Sequence, residues 1–529
     1  MNDRYNKWLN DNGISESDKE ILKNMTEKEK EESFSSDLEF GTAGIRGLMG
    51  LGSNKMNKYT VGKATVGLAN YLNKHHDNPS VVIAYDTRNN SSDYALDAAL
   101  ILNYYGIKTY LFKEYTSTPE LSFAVKYLNC TSGIVITSSH NPKEYNGYKV
   151  YNNKGGQIVP PEDDLIIKEV NSLDNFESLK YAPKNNELFY ITPDEVHESF
   201  VKENEKAIIH KELLDKYAKD IKVTYSSLHG VGIKTAKELL DKYKFNYNIV
   251  KEQCIYDGNF TTAPEPNPEY EKNYELGIKY AKENDSDIII LTDPDADRLG
   301  VYVKDVKTNE YIQFTGNMTG NLIAEYILSQ KKSRGELKVN SAVIKTIVSS
   351  NLTDAICEHY GVKMFETLTG FKNIAKIIRG FEENNNSYNC LFSYEESYGC
   401  IIGTHARDKD GIVAVMMLSE MTAYYKEQNK TLWDQMNDMY KKYGYYKEKN
   451  FSIVHKGIEG AEKIKLIMED MRNNPPKKLG KYNVLSVGDY LTGKIKNNQT
   501  GEETSTGMAK SNVLYYYLND NAWCAVRPS

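Results

Sequence analysis

Short apolar runs alternate with stretches whose apolar residues recur every three or four positions, and this rhythm returns three times along the chain. The runs predict β-strands, and the stretches between them predict amphipathic helices. The predicted strands are 81–85, 109–112, 133–137, 222–225, 247–250, 287–292, 341–347, 364–367 and 391–393, and the predicted helices are 92–105, 233–242, 317–328, 352–360, 371–381 and 412–425. Strands that alternate with helices are typical of α/β units with largely parallel pairing, so the pattern predicts three related α/β domains.

The two ends of the chain depart from this rhythm. Residues 1–35 are charged with sparse apolar positions, which predicts an N-terminal helical extension. After a predicted helix at 432–442, strand-like runs at 483–487, 513–518 and 523–526 predict a smaller α+β domain that ends in a hairpin. We therefore divide the chain into an extension at 1–40 and four domains at 41–208, 209–312, 313–430 and 431–529.

Composition and charge exclude several classes of protein. The chain has 529 residues, of which 40% are hydrophobic and 26% charged, and this fits a soluble globular protein of several domains. A net charge of −7 argues against a nucleic-acid partner. The six cysteines form no C-x-x-C pair, and no stretch approaches the ~20 apolar residues of a membrane span. Since the N-terminus also has no apolar leader, we expect a cytoplasmic protein with reduced thiols.

A polar turn follows the predicted strand 133–137. Residues 137–142 read Thr-Ser-Ser-His-Asn-Pro, so Ser139 stands at the carboxyl end of a strand, where ligand sites of open α/β sheets lie. This predicts a hydroxyl nucleophile held on a polar turn. The alternative is a Ser/Asn-rich connection that caps a helix. A Ser-His hydrolase is less favoured because the pattern Gly-x-Ser-x-Gly is absent.

Three carboxylates at alternate positions follow the predicted strand 287–292. They are Asp293, Asp295 and Asp297, and Arg298 comes next. In extended geometry alternate side chains share a face, so we expect the carboxylates to converge, and three like charges together need a cation. Mg²⁺ is favoured because few carboxylates and a phosphate oxygen commonly hold it. An EF-hand fails, since its sixth position is Arg298 instead of glycine, and a solvated acidic loop is the alternative.

The glycine-rich residues 41–47 carry a weaker signal. Their spacing is G-x-x-G-x-x-G, which is neither the dinucleotide fingerprint nor a Walker A pattern. The functional interpretation is a loop whose backbone amides approach a phosphate, with Arg46 as a fixed cation. The alternative is a tight turn.

Two segments near the third group of elements could bind a sugar phosphate. Glu395 and Ser397 follow the predicted strand 391–393 on one face and suit the vicinal hydroxyls of a sugar, unless the segment is a helix-capping turn. Arg407 and Lys409 precede the predicted helix 412–425 and suit a phosphate, unless they belong to a solvated charged loop.

In this order the motifs resemble those of the α-D-phosphohexomutases, the phosphoglucomutase and phosphomannomutase superfamily. The resemblance runs from Gly41 to the C-terminus, and the ordered combination is far more specific than any single motif. It implies three mixed α/β domains of one topology and a fourth, TATA-binding-protein-like α+β domain around a central cleft. The extension and residues 39–44 are most similar to the longer bacterial phosphoglucomutases and to related phosphopentomutases.

The resemblance also implies a role for each matching residue. Ser139 would be the phosphorylated residue, and Asp293, Asp295 and Asp297 would hold Mg²⁺ together with it. The residues implied at the reacting phosphate are Arg46, Lys149 and Arg298, with His140 as a candidate general base. Those implied to bind the sugar phosphate are Lys345, Thr369, Lys372, Glu395, Glu396, Ser397, Arg407, Lys409, Arg527 and Ser529.

The implied reaction moves a phosphate between the 1- and 6-positions of glucose through a phosphoserine, with glucose 1,6-bisphosphate as intermediate and activator. A pentose or mannose phosphate is an alternative substrate, and a homodimer is compatible with the resemblance. The departure lies at the end, where Arg527-Pro528-Ser529 resembles only the start of the family's Arg-Pro-Ser-Gly-Thr-Glu-Pro phosphate-binding loop. We therefore expect an incomplete fourth domain, and a phosphosugar-binding protein with impaired turnover is the alternative from another class.

Overall fold

The computed structural model describes residues 2–40, 44–384, 388–455 and 457–528. Its helices are α1 (Asn2–Asn10), α2 (Glu16–Lys23), α3 (Glu27–Phe34), α4 (Lys58–His75), α5 (Ser91–Tyr104), α6 (Thr118–Tyr127), α7 (Glu162–Asn171), α8 (Asp194–Glu205), α9 (Lys211–Tyr217), α10 (Gly232–Lys242), α11 (Glu275–Asn284), α12 (Gly316–Ser333), α13 (Leu352–Tyr360), α14 (Phe371–Glu383), α15 (Gly411–Glu427), α16 (Leu432–Tyr443) and α17 (Gly457–Asn473).

The strands are β1 (Gly44–Leu48), β2 (Ser80–Tyr85), β3 (Lys108–Leu111), β4 (Ser132–Ile136), β5 (Tyr145–Asn152), β6 (Phe189–Ile191), β7 (Lys222–Ser226), β8 (Asn246–Ile249), β9 (Ile288–Thr292), β10 (Leu299–Asp305), β11 (Glu310–Phe314), β12 (Ser341–Thr346), β13 (Lys363–Thr367), β14 (Asn389–Glu395), β15 (Gly399–Ile402), β16 (Lys478–Leu479), β17 (Tyr482–Asp489), β18 (Lys494–Asn497), β19 (Glu503–Ser505), β20 (Leu514–Leu518) and β21 (Trp523–Val526). Short 3₁₀ turns lie at Ala218–Asp220, Glu271–Tyr274 and Asn519–Asn521.

Three sheets repeat one strand order. The shared orders are β5-β4-β2-β3, β10-β9-β7-β8 and β15-β14-β12-β13. In each set the first three strands in the chain are parallel, and the fourth runs antiparallel beside the third. Strands β1 and β6 extend the first sheet, and β11 extends the second. The prediction of three mixed α/β domains of one topology is confirmed, with antiparallel strands that the alternation of patterns did not reveal.

The sequence of β5, the antiparallel strand beside β4, explains why hydrophobic periodicity did not predict it. β5 reads Tyr-Asn-Gly-Tyr-Lys-Val-Tyr-Asn, which lacks an apolar run, yet residues 146–152 are buried between β4 and β1. Its polar groups are paired inside the protein, as for the Tyr148 hydroxyl, which accepts a hydrogen bond from Thr65 at 3.2 Å. A strand with buried polar residues is unusual on energetic grounds, and here it carries Lys149 toward the carboxylates described below.

The N-terminal residues form helices that pack against the first α/β unit. Ser15 caps α2, and Thr26 with Glu29 forms a capping box at α3, so the charged sequence still specifies helix starts. Trp8 and Phe34 of the extension lie in one aromatic cluster with Tyr59 of α4. This cluster holds the extension in place.

A central core joins the second and third sheets. The core contains α15, whose residues 411–423 are all buried, together with apolar side chains of α12 and α16. A helix that is mostly apolar and buried on all sides is typical of the interior of a large protein, and α15 fits this pattern apart from the buried Ser419, Glu420 and Thr422. Leu432, Met436 and Met439 of α16 also lie in this core.

The C-terminal unit is an antiparallel sheet in the order β19-β18-β17-β20-β21, with β16 paired to β17. Met468 of α17 packs against Tyr516 of β20. The predicted hairpin is confirmed, since β20 and β21 pair antiparallel around a turn in which Asp520 and Asn521 have positive φ. Tyr515 of this sheet packs against Ile347 of the third α/β unit.

None of the helices in the described parts of the chain combines the length and the apolar character that crossing a bilayer requires.

Candidate active site

Three loops that follow equivalent strands meet in the structure. They connect β4 to β5, β9 to β10 and β14 to β15, and each is the link between the third and fourth strands of its sheet. The first loop contacts the second through Ser139 and Asp293, and the second contacts the third through a hydrogen bond from Leu299 N to Tyr398 O of 2.9 Å. Because the three sheets share a topology, their equivalent loops can face one centre.

The Ser139 loop is fixed by a buried arginine. Arg88 donates hydrogen bonds to the carbonyl oxygens of Ser139, Asn141 and Pro142, and its Nε lies 3.1 Å from the Asp86 carboxylate. Ser139 itself has φ of 51°, in the left-handed region that a serine rarely adopts. Such a conformation costs about 1–3 kcal/mol and is found mainly where function requires it.

The Ser139 hydroxyl is positioned by two neighbours. Its Oγ donates a hydrogen bond to Asp293 Oδ2 at 2.6 Å, and His140 Nδ1 lies 3.2 Å from the same Oγ. Burial lowers the pKa of His140 well below its ordinary value, and the charges of Arg298 and Arg46 lower it further. The imidazole is therefore neutral at pH 7.

Asp293, Asp295 and Asp297 converge, as the sequence predicts, but for a different reason. The carboxylates are buried, and one oxygen of each lies within 4.8 Å of the others. The expected extended geometry is wrong, because residues 293–297 form a turn in which Ala296 has φ of 56°. The turn, and not strand alternation, brings the three side chains together.

The carboxylates have distinct partners. Asp293 Oδ1 accepts from Arg298 N at 2.9 Å, and Asp295 Oδ2 accepts from Thr118 Oγ1 at 2.8 Å and Lys149 Nζ at 3.0 Å. Burial raises the pKa of Asp293, and the charges of Asp295 and Asp297 raise it further. Burial also opposes ionisation of Asp295, but the charge of Lys149 and the hydrogen bonds from neighbouring side chains together outweigh it and hold the pKa of Asp295 below its ordinary value.

The donor set of this triad fits a hard cation. The Oδ1 atoms of Asp295 and Asp297 are buried without a hydrogen-bond partner among the described residues. A buried carboxylate oxygen without a partner is costly, and three carboxylates in contact repel one another. A divalent cation such as Mg²⁺, which prefers oxygen ligands, would remove both costs.

Lys149 and Lys409 place positive charge next to the triad. Lys409 Nζ lies 3.0 Å from Asp297 Oδ2 and 3.0 Å from Asp408 Oδ1, and Lys149 Nζ lies 3.9 Å from Asp297 Oδ2. Burial lowers the pKa of Lys409, but the charges of Asp297 and Asp408 outweigh it and raise the value above its ordinary range. The Lys409 ammonium is thus charged, and both lysine side chains lie where they can meet a phosphoryl group held at the triad.

The two predicted arginines lie at the edge of this cluster. Arg298 donates from Nη1 to Ser397 O at 3.0 Å and to Glu269 Oε1 at 3.3 Å, which ties the second loop to the third. Arg46 lies on β1, paired in register with Gly147, so the expected glycine loop is wrong for residues 44–47, which belong to a strand. Residues 41–43 lie outside the described residues. The Arg46 side chain is exposed and makes no hydrogen bond or ion pair with the described residues.

The predicted sugar-recognition residues form a second group. Glu395 Oε1 accepts from the Gly370 amide at 2.8 Å, next to Thr369, and Glu396 Oε2 accepts from Thr346 Oγ1 at 2.9 Å. Arg527, from the C-terminal unit, reaches Glu396 Oε1 at 3.3 Å. Residues of the third and fourth units therefore meet at the loop that also contacts Arg298.

Three predicted binding residues make their contacts elsewhere. Lys345 Nζ is buried and paired with Asp354 at 2.7 Å and Glu366 at 3.2 Å. Arg407 donates to Thr404 O and pairs with Glu382, so it diverges from Lys409, with which it was grouped. Lys372 lies beside Arg407 at a separate small pocket. Ser529 lies outside the described residues.

Sequence reasoning missed four residues that support the site. They are Asp86, Arg88, Thr118 and Asp408. Asp86 and Arg88 directly follow β2, which neighbours β4, so the rule that sites lie at strand ends could have found them. Thr118 carried no such signal, because it reaches Asp295 from the N-terminus of a helix 177 residues away in the chain.

Comparisons with known proteins agree on one family. The models for phosphoglucomutase/phosphomannomutase α/β/α domains I, II and III match residues 37–177, 199–307 and 315–443. A phosphoglucomutase of Staphylococcus haemolyticus (strain JCSC1435) is 36% identical over 534 residues, covering 100% of this chain and 94% of that protein. A phosphoglucomutase of Staphylococcus aureus (strain MRSA252) is 36% identical over 514 residues, covering 97% and 91%.

Solved structures show the same fold. A protein assigned as a phosphomannomutase from Thermus thermophilus has a TM-score of 0.68 at 20% identity, covering 93% of this chain and 96% of that one. The open form of pp63/parafusin, a phosphoglucomutase from Paramecium, has a TM-score of 0.66 at 17% identity, covering 93% and 87%.

Proposed function

Since the chain belongs to the phosphoglucomutase/phosphomannomutase family, we propose that it interconverts glucose 1-phosphate and glucose 6-phosphate through a phosphorylated Ser139. The observation that carries this proposal is the 2.6 Å hydrogen bond from Ser139 Oγ to Asp293, inside a buried triad of carboxylates. A serine that carries a phosphoryl group needs a cation beside it, and the triad supplies the ligands. Glucose 1,6-bisphosphate would first phosphorylate Ser139 and so act as the activator.

In the first half-reaction, the 6-hydroxyl oxygen of glucose 1-phosphate attacks the phosphorus of phospho-Ser139. The bond between phosphorus and Ser139 Oγ breaks as the bond to the sugar oxygen forms, and the hydroxyl proton ends on Ser139 Oγ. His140 Nδ1, which lies 3.2 Å from that Oγ, is placed to carry this proton. The product at this stage is glucose 1,6-bisphosphate.

In the second half-reaction, glucose 1,6-bisphosphate reorients in the active site so that its 1-phosphate faces Ser139. Ser139 Oγ attacks that phosphorus, the bond to the sugar oxygen breaks, and the serine proton passes to that oxygen. Glucose 6-phosphate leaves, and Ser139 is phosphorylated again. The chemistry is symmetric, so one set of residues serves both halves.

The negative charge on the transferring phosphoryl group can be neutralised by a metal ion and by cationic side chains. A Mg²⁺ ion held by Asp293, Asp295 and Asp297 would act as a Lewis acid on phosphoryl oxygens when bound. Lys149, Lys409 and Arg298 offer fixed cations beside the triad. Such preorganised charge lowers the barrier because it is in place before the reaction.

We propose that Glu395, Glu396 and Ser397 bind sugar hydroxyls and that Arg527 binds the phosphate that does not react. Arg527 lies 3.3 Å from Glu396, so a phosphate bound there would be close to the sugar-recognition loop. A guanidinium can contact two phosphate oxygens at once, which suits a substrate that must bind in two orientations.

The variant Arg527→Gln tests this assignment. We expect KM for glucose 1-phosphate to rise by about 10- to 100-fold with a smaller change in kcat, because a charge-assisted bond to a non-reacting group contributes mainly to binding. Steady-state kinetics with a coupled dehydrogenase measures both constants. Lys496→Gln, which removes an exposed cation from β18 of the same unit, is the matched control and should leave KM unchanged. Equal KM values for Arg527→Gln and the unchanged chain would refute the role.

A substrate comparison tests the proposed function as a whole. The chain is incubated with Mg²⁺, a trace of the matching bisphosphate and glucose, mannose or ribose 1-phosphate, and product formation is followed for each. We expect kcat/KM for glucose 1-phosphate to exceed the values for mannose and ribose 1-phosphate by about 10-fold or more. A sugar whose hydroxyls do not match the site leaves polar groups of the protein without a partner, and this lowers its kcat/KM. A higher kcat/KM for mannose or ribose 1-phosphate would show that this sugar phosphate, and not glucose 1-phosphate, is the preferred substrate. Binding of all three without turnover would refute the proposed mutase activity.

A further inference from the structure

A cavity of about 550 Å³ lies between the first and third α/β units. Its walls come from α6, the turn after α8, α12, the start of β14, the segment after β15 and α15. Neither the Ser139 loop nor the aspartate triad contributes to it. The volume lies in the range of small-molecule sites, so the cavity can hold a ligand that the mutase reaction does not use.

The lining has an apolar part and a cationic part. The apolar part consists of Phe123, Ile327, Leu391, Ile402 and Met417. The cationic part consists of Lys126, Lys206 and Lys331. A pocket of this kind favours a ligand with a ring or another apolar body that ends in an anionic group.

The positive charge of the cavity is only partly balanced by carboxylates of the protein. Lys206 pairs with Glu203 at 2.6 Å, and Lys331 lies 4.0 Å from Glu336 outside the cavity. Lys126 is half-buried and has no hydrogen bond or ion pair within the described parts of the chain. Three of the lining residues carry an ammonium group and Glu203 carries a carboxylate, and within the described residues Lys126 is the one lining lysine without a carboxylate partner. Burial lowers the pKa of Lys126, so this ammonium carries a desolvation cost that a bound anion would offset.

Helix α6 connects the cavity to the catalytic centre. At its N-terminus, Thr118 donates from Oγ1 to Asp295 Oδ2 at 2.8 Å and from its amide to Asp295 O at 3.0 Å. Near its other end, Phe123 and Lys126 line the cavity. A ten-residue helix spans about 15 Å, so α6 gives a continuous structural path from the cavity to Asp295.

A second connection runs along residues 403–409. Gly403 and His405 line the cavity, and Lys409 ends the segment 3.0 Å from Asp297. His405 Nε2 lies 2.7 Å from Asp410, which caps α15, so the segment is held firmly between its ends. Two walls of the cavity therefore lead to two different members of the aspartate triad.

We propose that this cavity is an effector site for an organic phosphate that carries two negative charges and an apolar ring, and that its occupancy changes mutase activity through α6 and residues 403–409. The apolar wall distinguishes such a ligand from inorganic phosphate, which would leave most of the cavity empty. The effect on turnover rests on the proposed mutase function, whereas ligand binding does not.

Calorimetric titration of the full chain with adenosine 5′-monophosphate in Mg²⁺ tests binding without turnover. We expect one site per chain, with a Kd at least about 10-fold lower than for inorganic phosphate or adenosine. Inorganic phosphate can contact only the cationic part of the lining, and adenosine can contact only the apolar part. Saturating glucose 1,6-bisphosphate should not displace the nucleotide. Displacement, equal affinity for inorganic phosphate, or no binding to the unchanged chain would each overturn the proposal.

Two variants locate the binding in the cavity. Lys126→Gln removes the unpaired ammonium and should raise the Kd by about 10-fold or more. Ala207→Phe adds a ring at the turn after α8 that lines the cavity and should abolish binding. Lys168→Gln, at an exposed position of α7, is the matched control and should bind like the unchanged chain. Thermal unfolding checks that each variant folds, and unchanged affinity in a folded Lys126→Gln would place the ligand elsewhere.

The proposed effect of ligand binding on mutase activity is tested by a separate kinetic measurement. Saturating nucleotide should change kcat/KM for glucose 1-phosphate by about 5-fold or more in the unchanged chain and in Lys168→Gln, and by less in Ala207→Phe. Binding that leaves kcat/KM of the unchanged chain the same would overturn the coupling. If the chain has no mutase activity at all, calorimetry still decides whether the site exists.

Discussion

The Ser139→Ala variant is expected to lose mutase activity by at least about 10⁴-fold, because it removes the atom that carries the phosphoryl group between the two half-reactions. The Ser139 Oγ is the only part of the side chain that changes, and its hydrogen bond to Asp293 is lost with it. Incubation with ³²P-labelled glucose 1,6-bisphosphate should label the unchanged chain and leave the variant without label. Label on the variant, or mutase activity within about 10-fold of the unchanged chain, would show that another residue is the carrier.

The neighbouring serine provides a matched control. Ser138 belongs to the same loop, and its Oγ is buried without a hydrogen-bond partner among the described residues. Ser138→Ala removes a hydroxyl whose burial is uncompensated, so the free energy of unfolding should stay equal or increase slightly. Phosphoryl incorporation and kcat/KM should remain within about 3-fold of the unchanged chain. A loss as large as that of Ser139→Ala would mean that the loop's packing, and not the Ser139 nucleophile, limits the reaction.

The second large effect is expected for Asp295→Asn. An asparagine can turn its carbonyl oxygen toward Thr118 and Lys149 and so keep the hydrogen bonds that Asp295 Oδ2 accepts. Its amide nitrogen then replaces Oδ1, the oxygen without a partner, and removes one metal ligand. We expect kcat/KM to fall by about 10³-fold, which corresponds to about 4 kcal/mol of lost transition-state stabilisation. The Mg²⁺ concentration for half-maximal activity should rise by about 100-fold.

Thermal unfolding separates metal loss from misfolding in this variant. Mg²⁺ should raise the Tm of the unchanged chain, because a ligand that binds only the folded state stabilises it, and it should not raise the Tm of Asp295→Asn. In EDTA the variant should still unfold cooperatively but at the same or a lower temperature, because its side chain keeps the hydrogen bonds to Thr118 and Lys149 but no longer balances the buried charge of Lys149. Asp305→Asn, the same change in β10 at some distance from the triad, should retain activity and the response to Mg²⁺. A Mg²⁺-dependent rise in Tm for Asp295→Asn would refute the assignment of Asp295 as a ligand.

The local chemistry of the site could be predicted from the sequence because it lies within short segments. The order of apolar runs located most strands of the parallel cores, and the polar residues that follow them include Ser139, the three aspartates and Glu395. Strand ends are where side chains of a parallel sheet become accessible, so this inference needed no long-range information. The polar strand β5 and the turn geometry of residues 293–297 were not predicted, because neither follows from hydrophobic periodicity.

The sequence by itself therefore determined the class of fold, the segments that carry the chemistry and the family resemblance, since each depends on the order of residues within a few positions. Only the tertiary structure decided which of those segments touch. It brings Ser139 to Asp293, Thr118 to Asp295 and Arg527 to Glu396, pairs that are 154, 177 and 131 residues apart in the chain. It also turns Arg407 and Lys345 toward other partners. The physical reason is that each charged group pairs with whichever opposite charge the packed sheets bring near it, and that choice depends on the packing of distant elements.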